Sequence, residues 1–293
     1  MTQALAFDVG GTKIYNAIIN SDGEIISDIE KNHTPQDFES IKNLFKAIIE
    51  KYEDQVDVIA FSTCGAVNNE NTKIVGSTGN IAKDYPKIEF AKLSKKPVFV
   101  ENDANCAAWA EYKIGASKNT AVSVMLTLGT GVGGGIIING KLLKGQNGAA
   151  GEMHFKMRTD KHRRCTCGNW DCFEIYASGN GLKLTAEEML NNKDVTTYDV
   201  VRGVKENKPE MIKILDKWQQ DITDGIVGLA NLFDPDCVIL SGSMAEFTDT
   251  EKIEHNVNSQ IVTTHTKVKK AQAGNYAGMI GAALLALNQK VGK

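Results

Sequence analysis

The sequence predicts an α/β protein large enough for two domains, and three observations carry that prediction. Residues 4–19 and 122–143 each read as an apolar strand, a glycine turn and a second apolar strand. Between and beyond them, stretches at helical spacing alternate with short β-branched runs, the pattern of sheets covered by helices. The chain has 293 residues, enough for two cores or one large one.

The second hairpin is the more informative. It runs V-S-V-M-L-T-L-G-T-G-V-G-G-G-I-I-I-N-G-K-L-L, with Gly129, Gly131, Gly133, Gly134 and Gly135 between the strands. Such glycines remove Cβ atoms where a ligand can approach the main chain, and a phosphate suits a turn of bare N–H groups. Asn139-Gly140 is the dipeptide of a two-residue type I′ turn, so the second strand folds back as a hairpin. That excludes two readings. Residues 129–134 have G-x-G-x-x-G spacing, but they enter a strand and not the helix a dinucleotide site needs. Residues 135–142 approach P-loop spacing, but they lack its Ser/Thr and run into the hairpin turn. A purely structural turn needs one or two glycines, not this many. The first hairpin repeats the device as Asp8-Val9-Gly10-Gly11-Thr12-Lys13.

In chain order, Asp22-Gly23 marks a turn, and Thr34 as N-cap, Pro35 at N1 and Asp37 at N3 start a helix. Phe38, Ile41, Leu44, Phe45, Ile48, Ile49 and Tyr52 form its apolar face. Residues 56–62 and 97–100 read as strands. The first leads into Ser62-Thr63-Cys64-Gly65-Ala66-Val67-Asn68, and the second delivers Glu101-Asn102-Asp103-Ala104-Asn105 where a helix over 104–112 begins. Polar residues at such strand ends are a usual place for chemistry, and this cluster exceeds what an N-capping Asp103 alone would need. Residues 146–154 form a glycine-rich loop carrying Glu152 and His154, and Cys165, Cys167 and Cys172 have zinc-knuckle spacing. A helical stretch runs from Phe173. A long helix over 209–233 is expected to bury Met211, Ile212, Leu215, Trp218, Ile222, Ile226, Leu229 and Leu232. A strand over 237–240 runs into Ser241-Gly242-Ser243, and an Ala/Gly-rich helix covers 276–288.

With 33 basic and 36 acidic residues the net charge is −3, so no field favours nucleic acid or an anionic membrane. Lys161-His162-Arg163-Arg164 reads as a solvated loop, with contact to an anionic ligand as the alternative. No apolar run approaches the ~18 residues of a transmembrane helix, and the N-terminus enters a strand at once, so a cytoplasmic protein is expected. Cys64, Cys106 and Cys237 sit in apolar surroundings and read as buried free thiols. A reducing compartment favours metal over disulfide for the other three.

Taken together, the two glycine hairpins resemble the paired phosphate loops of the actin-like ATPase and sugar kinase (ribonuclease H-like) fold. That resemblance implies a two-lobed α/β architecture with an ATP cleft between the lobes. A small lobe would span 1–117, with the helix over 276–293 packing back on it, and a large lobe with the Cys-rich loop would span 118–275. The order of Asp8-Val-Gly-Gly-Thr-Lys13, Glu101-Asn-Asp-Ala-Asn105, Leu128-Gly-Thr-Gly-Val-Gly-Gly-Gly135, Gly151-Glu152 and Cys165-x-Cys167-Gly-x-x-x-Cys172-x-Glu174 resembles the ROK family of sugar kinases and repressors over essentially the whole chain.

The resemblance implies ATP-dependent phosphorylation of the 6-hydroxyl of a hexose. By matched position it implies Asp103 as the base that accepts the hydroxyl proton, with Gly65, Asn102, Glu152, His154 and Glu174 around the sugar. Asp8 would organise Mg²⁺, Gly10, Gly11, Thr12, Lys13, Gly129, Thr130, Gly131 and Gly133 would follow the ATP phosphates, and Gly242 would belong to the adenosine pocket. The physics agrees, because phosphoryl transfer mainly needs positioned groups and neutralised charge, and the N-terminus of a helix favours an ionised Asp103. Homodimers are common in the family. Its repressors carry a helix-turn-helix ahead of the kinase-like part, whereas Asp8 here stands eight residues from the start, which favours an enzyme. A sugar sensor without turnover is a third class.

Two departures from the family pattern stand out. Family members read Gly-Glu-x-Gly-His where this chain has Gly151-Glu152-Met153-His154-Phe155, and Asp171 replaces a glycine before the third cysteine. Either a one-residue deletion brings His154 into place as the fourth ligand of a structural zinc beside Cys165, Cys167 and Cys172, or only the three cysteines remain, with His162 as the alternative fourth ligand. Ser62-Thr63-Cys64-Gly65-x-Val67-Asn68 is similar to the form found in N-acetylmannosamine kinases. It points to N-acetylmannosamine, used in sialic acid breakdown, ahead of glucose and then fructose or a β-glucoside.

Overall fold

Each glycine hairpin founds a five-stranded mixed sheet. The computed structural model describes residues 2–76, 78–79, 81–263 and 265–291. In chain order its elements are β1 (Gln3–Val9), β2 (Lys13–Asn20), β3 (Glu30–His33), α1 (Phe38–Tyr52), β4 (Val58–Thr63), β5 (Val98–Asn102), α2 (Asp103–Ile114), β6 (Val122–Leu128), β7 (Val132–Ile138), β8 (Lys141–Leu142), α3 (Glu174–Ala177), α4 (Gly179–Leu190), α5 (Thr197–Lys205), α6 (Pro209–Phe233), β9 (Cys237–Ser241), α7 (Thr250–Asn258), β10 (Lys267–Lys270) and α8 (Ala277–Val291).

The sheet orders are β3-β2-β1-β4-β5 and β10-β9-β6-β7-β8, and they follow one plan. In the first, β1 pairs antiparallel with β2 and β2 with β3, while β4 and β5 extend the sheet in parallel on the other side of β1. In the second, β7 and β8 continue from β6 on one side, while β9 and β10 extend it in parallel on the other. Asn139 and Gly140 both take positive φ, 48° and 72°, as the type I′ turn between β7 and β8 requires. The chain forms two compact units: Met1–Asn119 with Gly135–Gly151 and Gln272–Lys293, and Thr120–Gly134 with Glu152–Ala271. The division falls inside β7.

In the first unit, Ala4 to Phe7 and Ile59 to Phe61 are wholly buried, as expected of strands covered on both faces. Phe7 stacks on Phe61 at 4.6 Å between ring centroids, and Phe45 of α1 meets both edge-on. α8 packs on α2, β4 and β1. Gly135 is a packing glycine, because a Cβ there would stand 2.6 Å from the Ala108 methyl of α2. The expected start of α1 moves. Its N-cap is Asp37, whose side chain accepts from Ser40 N, because Thr34 is already committed elsewhere: its hydroxyl donates to Gly10 O at 2.7 Å and its N–H to Thr12 O at 3.1 Å.

In the second unit, α6 buries Ile214, Trp218, Ile222, Ile226 and Leu229, a stripe at helical spacing, and Trp218 Nε1 donates to the Ala177 and Ser178 carbonyls. The expected face is corrected at its ends: Ile212 is 37% and Leu232 77% exposed. Ile212 lies two residues before Ile214 and so turns to the opposite side, and Leu232 falls in the last turn. Among the described residues no helix is long and apolar enough to cross a membrane. Ile222→Ala should therefore cost about 2–5 kcal/mol in urea unfolding, whereas Leu232→Gln should stay within about 0.5 kcal/mol of wild type.

Candidate active site

In the first unit, register brings the predicted residues together. Val9, Thr63 and Asn102 form one row across parallel strands β1, β4 and β5, and Asp8, Ser62 and Glu101 form the row before it. The residues that follow, Gly10, Cys64 and Asp103, therefore leave the sheet side by side at the strand C-termini, where α/β folds place their ligands. Asn102, not Asp103, caps α2: its Oδ1 accepts from Ala104 N at 2.9 Å and Asn105 N at 3.1 Å. Its Nδ2 donates to Gly65 O at 3.2 Å, which fixes the spacing of those two segments. Asp103 occupies the first turn of α2, exposed, with Oδ1 accepting from Ala104 N at 2.8 Å.

Asp8 accepts from the Ser62 hydroxyl at 2.9 Å, and burial raises its pKa above the ordinary aspartate value despite that bond. A Cβ on Gly278, at the start of α8, would come within 2.9 Å of the same carboxylate oxygen, so the absent side chain keeps space beside it. Cys64 is corrected from buried to half-buried. Its thiol lies 3.1 Å from Thr78 O, and burial together with the Asp103 charge pushes it up to about 12.

The second unit repeats the arrangement. Thr127 of β6 pairs with Ser241 of parallel β9, so the turn over 129–131 and Gly242 leave adjacent strand ends. Gly133 N donates to Thr127 Oγ1 at 3.1 Å, and Gly179 N, at the start of α4, donates to Gly129 O at 2.8 Å. Glu174 lies against this turn. Its Oε2 accepts from Val132 N at 3.1 Å, and any Cβ on Gly131 would collide with it. Its Oε1 accepts from Thr166 Oγ1 at 2.7 Å, so one carboxylate ties the glycine turn to the Cys-rich loop.

His154, Cys165, Cys167 and Cys172 come together, with their donor atoms all within 4.8 Å of one another. His154 Nδ1 is buried without a hydrogen-bond partner, while Nε2 lies 3.8 Å from Glu152 Oε2. Burial and the neighbouring cysteines push Cys172 up to about 12, and burial raises Cys165. Burial also works against Cys167, but donors from Asn169 and the other thiols outweigh it and leave that pKa lowered. Three crowded thiols and one unpartnered imidazole nitrogen fit a four-coordinate zinc, whose charge would hold them as thiolates.

In the basic run 161–164, Lys161, His162 and Arg164 are exposed, as a solvated loop requires, and only the third residue is corrected. Arg163 is only 6% exposed, bonded to Glu188 at 2.6 Å and 2.8 Å and to Thr185 at 3.1 Å, with its guanidinium 4.5 Å from the Tyr176 ring centre. Sequence reading also missed Glu101 and Lys144. Glu101 is buried behind Asn102 and paired with Lys144 at 2.7 Å; only an acidic residue ending a buried strand could have marked it.

A profile described as the ROK family matches residues 4–289, and glucokinase of Streptomyces coelicolor is 32% identical over 314 residues, covering 98% of each chain. The chain belongs to the ROK family. It is a ROK sugar kinase, an ATP-dependent hexose phosphotransferase. N-acetylmannosamine kinase of Haemophilus influenzae is 28% identical over 286 residues, 96% of this chain and 94% of that one. The crystal structure of a ROK family glucokinase from Streptomyces griseus in complex with glucose and AMPPNP superposes with a TM-score of 0.80 at 28% identity, covering 98% of this chain and 99% of that one. The α/β two-lobed actin-like fold class with its two mixed sheets is thus that of ROK kinases.

Both departures of this ROK kinase acquire a physical reason. His154 reaches the cysteines although the intervening glycine of the family pattern is missing, and its neighbour Phe155 stacks on Phe173 at 5.0 Å. Asp171 adopts φ 58°, a left-handed conformation that Asp tolerates better than most residues. Burial opposes its charge, but Arg163 N, Tyr176 OH and His162 N donate to it and lower its pKa. We predict one zinc per chain by elemental analysis, lost in Cys167→Ser with a fall in Tm of more than about 5 °C. A metal-free wild type with the same Tm would refute the assignment.

Proposed function

We propose that the protein transfers the γ-phosphoryl group of ATP to the 6-hydroxyl of N-acetylmannosamine, with Asp103 accepting the hydroxyl proton. The observation that supports this most is the row Val9–Thr63–Asn102, which sends Gly10, Cys64 and Asp103 from one sheet edge. Asn102, held by Gly65 O and by the first turn of α2, is rigid enough to fix a sugar hydroxyl beside Asp103. Glu152, His154 and Glu174 hold further hydroxyls. Backbone N–H groups of the two glycine turns, with Thr12, Lys13 and Thr130, receive the phosphates, and Gly242 borders the adenosine. Mg²⁺ at Asp8, when bound, supplies charge neutralisation on the phosphates. Zinc at the Cys-rich loop has a structural task, holding the segment that carries Glu174.

Asp103 is asked only for proton transfer. The first turn of a helix favours the charged form of a carboxylate placed there, and a carboxylate within reach of the hydroxyl suffices as the base of a phosphoryl transfer. The sugar assignment rests on Ser62-Thr63-Cys64-Gly65-x-Val67-Asn68 together with the N-acetylmannosamine kinase relatives. Glucose is the second reading, favoured by the glucokinase relative at 32% identity. The working form is taken to be a cytoplasmic homodimer that binds neither nucleic acid nor membrane.

Two measurements test this. ADP release with Mg·ATP should be fastest, by kcat/KM, with N-acetylmannosamine among N-acetylmannosamine, glucose, fructose, N-acetylglucosamine and a β-glucoside; a glucose preference would overturn the sugar assignment. Asp103→Asn should lower kcat by about 10²–10⁴-fold while hexose binding by calorimetry changes less than about threefold. Full activity in that variant would remove Asp103 from the chemistry, and hexose binding without turnover in the wild type would mark a sensor.

A further inference from the structure

Beneath the strand end that carries Asn102 and Asp103 lies an ion pair that the reaction itself does not use. Glu101 is 1% exposed, and its carboxylate takes four donors: Asn71 Nδ2 at 2.6 Å, Lys144 Nζ at 2.7 Å, Asn102 N at 2.8 Å and Asn105 Nδ2 at 3.1 Å. Lys144 is the only cation among them. It also donates to Asn68 O at 2.8 Å, so one ammonium joins the residue before Asn102 to the loop that begins at Gly65.

The two loops are fastened at further points. Asn69 Nδ2 donates to Gly145 O at 3.0 Å and Gln146 O at 3.1 Å. Gly148, at φ 75°, lies so close to the Val67 carbonyl that any Cβ would collide with it. Asn71, left-handed at φ 58°, pairs with Val100 through both its carbonyl, at 2.9 Å, and its side chain, at 2.8 Å. The contact of Asn102 Nδ2 with Gly65 O then closes a circuit in which Lys144 is the charged member.

We infer that Lys144 is a positioning residue for the hexose site, a role that rests on reading Gly65, Asn102 and Asp103 as that site. Loops hold their place only as well as their contacts do, and a displacement of about 1 Å at a reacting group can cost about 10²-fold in rate. Without Lys144, Glu101 keeps its neutral donors but loses its countercharge in a buried place, and Asn68 O is left with Asn71 N, at 3.0 Å, as its donor. The strand end and the Gly65 loop are then joined only by the neutral bonds of Asn71 and Asn102, which loosens the hold on the hexose and leaves the second unit's glycine turn untouched.

Steady-state kinetics and amide hydrogen exchange on Lys144→Met and Lys144→Arg provide the test. Lys144→Met should raise the hexose KM about 10-fold or more and lower kcat, with the KM for ATP within about twofold of wild type, and exchange should quicken over 65–71 and 101–105. Lys144→Arg should return the hexose KM to within about threefold of wild type. Unchanged hexose KM and unchanged exchange in Lys144→Met would overturn the inference. If Lys144→Met does not fold, the double variant Glu101→Gln/Lys144→Met, which removes both buried charges, decides: a raised hexose KM supports the role and a wild-type KM refutes it. Should the wild type turn over no hexose, the kinase reading fails by itself. Faster exchange over the two segments still supports positioning by Lys144, and unchanged exchange still refutes it.

Discussion

The constraint on which the site depends is strand register. Because β1, β4 and β5 run parallel with Val9, Thr63 and Asn102 in one row, three segments distant in sequence end at the same edge, and each ends in short polar or glycine residues. A shift of one residue in β5 would turn its alternating side chains over and take Asp103 away from Gly65. β5 resists such a shift because Phe99, Val100 and Glu101 are buried and Val100 is bonded to Asn71 through both its N–H and its carbonyl. The second sheet uses the same plan around β6 and β9, with Gly242 beside the turn after Leu128.

Around that frame, polar side chains do the fixing and glycines make the room. Asn102 spends its amide on α2 and on Gly65 O, and Glu174 spends its carboxylate on Val132 N and on Thr166. Gly131 is bare because Glu174 occupies the place of its side chain, and Gly135 is bare because α2 does. The glycines after β6 therefore divide between tasks, and a count of them overstates how many face a phosphate. At Gly129, by contrast, a Cβ would meet nothing within 4 Å, the condition of a position open to a ligand.

Much of this was legible in the sequence because short-range chemistry decides it. A strand that ends in Asn102-Asp103 and a hairpin with Asn139-Gly140 announce themselves locally. The misreadings arise where a distant partner intervenes. Thr34 and Pro35 look like a helix start, but the Thr34 hydroxyl belongs to the first glycine turn through Gly10 O, and the cap passes to Asp37. Arg163 sits in a basic run, yet Glu188 and Tyr176 from later elements draw it inside. Lys144 gave no local signal at all, since its partners Glu101 and Asn68 lie on other segments. The fourth place beside the cysteines was undecidable from spacing, because it depends on the path of the loop from Glu152 to Phe155.

The central claim is that the polar strand end of the first unit directs phosphoryl transfer to a hexose 6-hydroxyl. Its most direct test is the position of the new phosphate, read by ³¹P–¹H correlation NMR on the product formed from ATP and N-acetylmannosamine, beside the 6-deoxy sugar. The account predicts coupling of phosphorus to the C6 protons alone and no product from the 6-deoxy sugar. Phosphate at C1, or turnover of the 6-deoxy sugar, would contradict it.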